Sequence, residues 1–509
     1  MILRLIGHEY KYAVEQIMLA LFPDERPIYV GDSETGSCDS VMSFDDLEIS
    51  SDNLFAESRI SQGVRFAQCI TTIHCNGNAF RGTARVSCAS LTDKLITDRL
   101  MQRIIKQSFY RAAIHIIPSP PAWGSLTGIR PAQIAAKMIE LGESASLAAK
   151  KLEREYYVSP VRAKMCVSAA QAAIQLKQTL TSNDIALYIG IPFCPTRCTY
   201  CSFVSNSVEK SFGMIEPFVK MLLSEIESAA KLVSEYNLNI SSIYIGGGTP
   251  TTLSAEALEA MMATIKRLFD LRNIREYTFE AGRPETITED KLQIIRRYGA
   301  DRLCVNPQSM SDDVLRAIGR DHCAQDVFDA VKLVQNYGGA INLDVIAGLP
   351  GDSYDGFKHT INTILAFEPE NITVHTLSLK KGSKIMLEGT LLPSGADVGK
   401  MLDYAADKLA GNGYEPYYLY RQKFTSGGFE NIGWCKPGHE GIYNICMMEE
   451  LCSVLALGGG GATKIMTANG RIERIFNAKY PKEYISFEDK LVAKYDTIRT
   501  FLSERNCAT

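Results

Sequence analysis

Cys194, Cys198 and Cys201 share one short run, IPFCPTRCTYC over residues 191–201, and thiolates so spaced can anchor a metal. An ordinary structural zinc site or cuboidal iron–sulfur cluster takes four protein ligands, yet the next Cys or His downstream is Cys304. A cube held by three thiolates leaves one iron open. An open iron can chelate the amino and carboxylate groups of a small molecule, by the same logic that separates catalytic from structural zinc. The bland alternative is three reduced thiols or part of a zinc site. Pro192 and Pro195 stiffen the backbone that carries the sulfurs, and Arg197 adds positive charge beside an anionic cluster.

Other polar residues interrupt apolar runs farther on. Gly246, Gly247 and Gly248 precede Thr249 and Pro250. Alone, such a run is a turn; after a strand it is a bare backbone edge able to approach the polar end of a ligand, here an amino group. Glu280 closes an apolar run, where a carboxylate serves either as a ribose or ammonium binder or as half of a structural ion pair. Asp344 lies inside NLDVIAGLPG at 342–351. Burying an unpaired carboxylate is costly, so Asp344 must face something polar or charged. Gln308 and Arg320 follow another apolar run and are either site residues or solvated. His375, on an expected buried strand, reads first as a hydrogen-bonded core residue.

These groups need a frame. From about 185 to 379, short β-branched apolar runs alternate with stretches of helical period, the pattern of βαβ units around a parallel sheet. Strands are expected at 185–191, 242–245, 277–280, 302–306, 342–347 and 372–379, with helices at 216–236, 255–271 and 324–337 among them. Six units make a partial (β/α)6 parallel barrel, in which reactive groups collect where strands end. The first 180 residues read as an α+β accessory domain: short strands to about 90, an amphipathic run at 93–112, a breaker at 118–123, then a helical linker. Beyond the barrel come a helix at 398–409, an aromatic run at 414–420 and a glycine run at 458–461, an α+β region suited to cover a substrate. The expected domains are therefore 1–180, 181–390 and 391–509.

Composition narrows the function. At 509 residues, 46% apolar and 22% charged, the chain is globular and long enough for roughly three domains. A net charge of −4 with interleaved signs speaks against a nucleic-acid partner. Fourteen irregularly spaced cysteines read as reduced thiols in a cytoplasmic protein. Arg4 interrupts the start where a signal peptide needs an apolar run, and the uncharged stretch 451–463 is too short for a membrane span.

The cysteine spacing with Tyr200 between its last two sulfurs, GGGTP at 246–250, Glu280 at a strand end and DVIAGLPG at 344–351 together resemble the radical S-adenosylmethionine enzymes. Within them the chain resembles the oxygen-independent coproporphyrinogen III oxidase family, closely over 188–379 and more loosely to the C-terminus. LTGIRP at 126–131 and KPGHEGIYN at 436–444 are similar to its coproporphyrinogen dehydrogenase branch. The resemblance implies a 4Fe-4S cluster on Cys194, Cys198 and Cys201, with S-adenosyl-L-methionine as second cofactor. It places Tyr188, Gly246, Gly247, Glu280 and Ser378 at that molecule, beside Gly248 and Thr249. Tyr200, Gln308, Arg320 and Asp344 match positions where the better-known branch holds a second one. Tyr188, Glu280 and Asp344 are the implied catalytic residues.

The implied reaction is oxidative decarboxylation of coproporphyrinogen III to protoporphyrinogen IX in porphyrin biosynthesis. A deoxyadenosyl radical takes hydrogen from a propionate β-carbon, carbon dioxide leaves, the left-over electron passes to a one-electron acceptor, and in two such rounds two propionates become vinyl groups. The implied partners are a tetrapyrrole and a reduced flavodoxin or ferredoxin-type electron donor. A substrate with four propionates wants guanidinium groups and aromatic faces; Arg421, Lys423 and Lys436 around Tyr417, Tyr418, Tyr420 and Trp434, with Arg283, are candidates, unless these form a solvated tyrosine-rich surface. One residue departs: the best-characterised oxidases have a cysteine where this chain has Phe203, as in the related haem-binding chaperones. A haem carrier, binding through a residue such as His439 or Cys435, is thus a rival reading, and radical chemistry on an unrelated metabolite is another.

Overall fold

Period-two alternation in Phe66–Cys75 and Asn78–Ser87 turns one face of each strand inward, as a half-buried antiparallel sheet requires. The computed structural model describes residues 1–31, 42–43, 54–201, 206–378, 383, 385, 390–422, 425–467, 470–486 and 488–507. It forms two compact units: Met1–Pro131 with Leu141–Val167, and Ala132–Glu140 with Ser168–Thr509.

In the first unit β1 (Ile2–Ile6), β2 (Ile28–Gly31), β3 (Met42–Ser43), β4 (Phe55–Gln62), β5 (Phe66–Cys75) and β6 (Asn78–Ser87) make one sheet, ordered β3-β2-β1-β4-β5-β6. β1 pairs in parallel with β2 and β4, while β4, β5 and β6 form an antiparallel meander. The helix Lys94–Ala113 closes its apolar face with Ile104, Ile105 and Phe109. Asp93 caps that helix by accepting the Ile96 N–H at 2.9 Å, satisfying one of the first-turn amides. Gly82 allows close approach: a methyl there would stand 2.0 Å from the Ser108 carbonyl oxygen.

The second unit carries the expected parallel core. After β7 (Asp184–Ile191) and the short pair β8 (Phe193–Cys194) and β9 (Asn206–Ser207) come β10 (Asn239–Gly247), β11 (Glu276–Gly282), β12 (Arg302–Gln308), β13 (Ala340–Ala347) and β14 (Asn371–Thr376). β7, β10, β11, β12, β13 and β14 lie side by side in chain order, all parallel. They are buried on both faces, the reason they read as unbroken apolar runs. The crossing helices start at designed caps: Ser254 accepts the Ala257 N–H at 3.2 Å and Ser353 the Gly356 N–H at 3.1 Å.

The sheet continues past both ends of this core. β15 (Glu415–Arg421) and β16 (Glu430–Cys435) extend it antiparallel beyond β14, and β17 (Ser453–Gly458) pairs in parallel with the free side of β7, followed by β18 (Ala462–Met466) and β19 (Ile472–Phe476). Among the described residues the two ends of the sheet, β15 and β19, do not pair with each other. Strands from 391–509 thus belong to the same sheet as the parallel core.

The glycine run at 458–461 has a structural use on β7. Gly459 N–H bonds to the Gly190 carbonyl at 3.0 Å, and a methyl on Gly459 would meet the Pro192 ring at 2.6 Å. Glu225, fully buried on the helix Val208–Glu235, accepts the Gly458 N–H at 2.8 Å, the Asn477 amide at 3.0 Å, the Lys494 ammonium at 2.7 Å and the Tyr484 hydroxyl. Among the described residues no helix is long and apolar enough to cross a membrane.

Candidate active site

The cysteine loop begins where β7 ends and is clasped by the glycine motif that ends β10. Ile191 and Phe193 carbonyls accept the Gly248 and Thr249 N–H groups at 2.8 and 2.7 Å. Only glycine fits at 248, since a methyl would lie 2.4 Å from the Phe193 oxygen and 3.0 Å from Cys194 Sγ. Cys194 and Cys198 are buried and Cys201 half-buried. Thr249 Oγ1 donates to Cys194 Sγ at 3.5 Å. Arg283, 3% exposed, donates to Cys198 Sγ at 3.2 Å and to the Thr196 carbonyl at 2.8 Å. The far side of the loop rests on the end of a helical turn, through Thr199 N–H to the Ile318 carbonyl at 3.0 Å and Thr196 Oγ1 to the Gly319 carbonyl at 3.3 Å.

Among the described residues no three His, Cys, Asp or Glu side chains are gathered to grip a single ion. A cube would take one thiolate at each of three separate irons, which three cysteines of one loop can supply. The donor set agrees, since a buried guanidinium and a hydroxyl directed at sulfur favour thiolate charge.

From the glycine edge a continuous polar path crosses the sheet ends. Glu280, on β11, takes a backbone hydrogen bond from Gly247 and the Asn306 amide at 3.0 Å. Asn306, on β12, offers its carbonyl to Arg320 Nη1 at 2.7 Å, and Arg320 Nη2 reaches the Tyr200 hydroxyl at 3.4 Å. Burial, then the Asp344 charge, pushes the Glu280 carboxyl up to about 7. Asn306 Oδ1, Gln308 Oε1, Arg320 Nε and Thr199 Oγ1 are buried without a hydrogen-bond partner among the described residues. Unsatisfied buried atoms in such number mark a place where a polar ligand belongs, and they fit the hydroxyls and amino-acid end of a nucleoside sulfonium. Gln308 also holds φ of +66°, a strained value for a residue with a side chain.

Asp344, on β13, takes the Asn342 amide at 2.6 Å and faces His375 Nε2 at 3.5 Å. His375 is raised: burial works to lower it, and the Asp344 carboxylate overrides that. Deeper in, Tyr188 of β7 stacks on Tyr244 of β10, and both stack on Tyr443 of the helix Ile442–Glu449, centroids 4.6 to 6.3 Å apart. Burial raises the Tyr188 hydroxyl. Tyr188 and Tyr244 both lie close enough to Glu280 for its charge to act on their hydroxyls.

The structure therefore brings Cys194, Cys198, Cys201, Gly248 and Thr249 together, joins Gly247, Glu280, Arg320 and Tyr200 through Asn306, and pairs Asp344 with His375. Ser378, two residues past β14, forms a β-bridge with Thr425, and Phe203 and Lys423 lie outside the described residues. One expectation is corrected and one residue is located. Tyr417, Tyr418 and Trp434 are buried core of β15 and β16, not a surface around a substrate; Arg421 binds the Gly428 carbonyl and Lys436 the Glu368 carbonyl instead of gathering around them. His439 lies at the opposite end of the strands from the cysteines, lining a cavity of about 560 Å³ with Arg275, Glu276 and Arg302. Asn306, Tyr244 and Tyr443 were missed as site neighbours; an Asn before proline inside the apolar run 303–306 was the available signal for the first.

Residues 188–364 match the Radical SAM superfamily. The oxygen-independent coproporphyrinogen-III oxidase-like protein HemZ of Bacillus subtilis is 37% identical, over 71% of this chain and 74% of its own length. The heme chaperone HemW of Haemophilus influenzae is 27% identical, over 63% of this chain and 82% of its own. Among solved structures, coproporphyrinogen III oxidase (HemN) from Escherichia coli aligns with a TM-score of 0.49 at 20% identity, covering 63% of this chain and 72% of that one. The cysteine loop, the parallel core, the superfamily match and the HemZ likeness agree: the chain belongs to the oxygen-independent coproporphyrinogen-III oxidase-like family of the radical SAM superfamily, which works with a 4Fe-4S cluster and S-adenosylmethionine.

Proposed function

We propose that the chain oxidatively decarboxylates coproporphyrinogen III to protoporphyrinogen IX without oxygen. The observation that carries this reading is the 37% identity to the HemZ protein across most of both chains, which exceeds the 31% over a shorter span to a Bacillus subtilis HemW. A reduced cluster bound there would supply one-electron reduction of S-adenosylmethionine, the source of the hydrogen-abstracting power this reaction needs. Cys194, Cys198 and Cys201 hold the cluster, and Arg283 steadies Cys198. The Gly246–Gly248 edge and Glu280 take the amino end of the sulfonium molecule. The Tyr188–Tyr244–Tyr443 stack keeps water out beneath it, as radical chemistry on an unactivated C–H bond requires.

Anaerobic reconstitution with iron, sulfide, S-adenosylmethionine, a reductant such as reduced flavodoxin and coproporphyrinogen III tests this. The expected product has lost two carboxyl groups in a mass-resolved assay. The heme chaperones among the relatives support a second reading, haem carriage. Stoichiometric haem binding with no vinyl product would favour it and overturn the decarboxylase reading.

A further inference from the structure

Asn431 fixes the protonation of His375. The Thr376 backbone N–H donates to Asn431 Oδ1 at 3.0 Å, and His375 Nδ1 meets that same oxygen at 3.2 Å. A backbone amide can only donate, so the oxygen of Asn431 is assigned and Nδ1 must carry a hydrogen. Reversing the amide would set its NH2 against the Thr376 N–H. On the other side of the ring Nε2 faces Asp344 Oδ2 at 3.5 Å, a partner that wants a hydrogen as well. Asp344 cannot turn away freely, because its Oδ1 holds the Asn342 amide, whose own oxygen is held by Thr373 Oγ1 at 3.1 Å. Both ring nitrogens therefore face acceptors, the arrangement of an imidazolium.

We propose that His375 stands in the barrel as a fixed imidazolium and is a positioning residue for a sulfonium-bearing ligand. It holds Asp344 in place and leaves the Glu280–Asp344 pair one uncompensated carboxylate to meet the ligand's net positive charge. This rests on the reading of Glu280 and Asp344 as cofactor residues. Around His375 the charged and titratable neighbours are Asp344 on β13 and Glu280 on β11, with Tyr418 and Tyr420 of β15 close to Asp344. None of these is a competing cation. With two buried carboxylates and no imidazolium the pocket would carry repulsion that only protonation of Glu280 relieves.

The test is the affinity of the reconstituted protein for S-adenosylmethionine as a function of pH. In the wild type, affinity rises as Glu280 ionises. In His375→Gln the midpoint of that rise moves upward by roughly one pH unit, the effect of withdrawing a nearby opposite charge, and His375→Lys returns it toward the wild-type value. An unchanged midpoint in His375→Gln overturns the proposal. If that variant does not fold, nitrogen-15 spectra of the full-length wild type decide: one histidine with both nitrogens protonated at about pH 8 supports it, where an ordinary histidine is neutral, and all histidines neutral overturns it. Failure of the underlying site reading looks different, since Glu280→Gln and Asp344→Asn would then bind S-adenosylmethionine as the wild type does.

Discussion

Gly246 lies directly beneath the Glu280 carboxylate, so close that a methyl group on it would stand 2.5 Å from Oε2 and 2.7 Å from the Tyr244 ring. The glycine is the space in which the carboxylate sits. Gly246→Ala should fold, because the carboxylate is the movable end of its side chain, but Glu280 must leave its place by the Gly247 amide. S-adenosylmethionine affinity, measured by calorimetry, should fall about tenfold, a loss of about 1.4 kcal/mol.

Glu280 itself sets a pH dependence of stability. Its carboxyl is raised from 4.5 to about 7 in the folded chain, so the stability that its protonated form supplies is complete below the unfolded value and is lost as pH rises through the folded one. The loss is on the order of 3 kcal/mol by pH 8. Glu280→Gln should remove most of that slope in urea unfolding at about pH 5 and pH 8, gaining stability at the higher pH while losing S-adenosylmethionine binding.

At the cysteine loop two variants separate holding from tuning. Cys198→Ala should abolish the brown absorbance of the reconstituted cluster. Arg283→Gln should keep most of the iron, yet it weakens a charge-assisted donor to Cys198 Sγ at 3.2 Å. Fewer hydrogen bonds to sulfur leave the reduced cluster less stabilised, so redox titration followed by electron paramagnetic resonance should place its potential lower than that of the wild type.

The Glu225–Lys494 pair, 0% and 2% exposed at the side chains, should be intolerant of single loss. Glu225→Ala strands a buried ammonium and should cost about 3–5 kcal/mol in chemical denaturation. Replacing both, as Glu225→Gln with Lys494→Met, should cost much less, since an uncharged pair of similar volume avoids burying two charges while the Gln oxygen can still accept hydrogen bonds.

The parallel core was legible because strands buried on both faces leave unbroken apolar runs bounded by helical periods, and Asp344 stood out as a charge inside such a run. What escaped notice depends on distant segments meeting. Arg283 reaches Cys198 across 85 positions of chain, and Asn306 joins Glu280 to Arg320 only through the register of two strands. The tyrosines at 414–420 misled for a related reason: beside Arg421 and Lys436 their rings suggested aromatic faces for a macrocycle, while the structure uses Tyr417 and Tyr418 as core between β15, β16 and the helix Ile442–Glu449.

The placement of β17 has a consequence for assembly order. β7, which leads into Cys194, is an unfinished edge until Ser453–Gly458 docks on it, and that docking is secured by Lys494 reaching Glu225 and the Ala456 carbonyl. During synthesis the cysteine-bearing segment therefore leaves the ribosome about 260 residues (Cys194 to Ser453) before the partner that steadies it. The frame that holds the cysteine loop in place is therefore complete only once that distant strand has docked on β7.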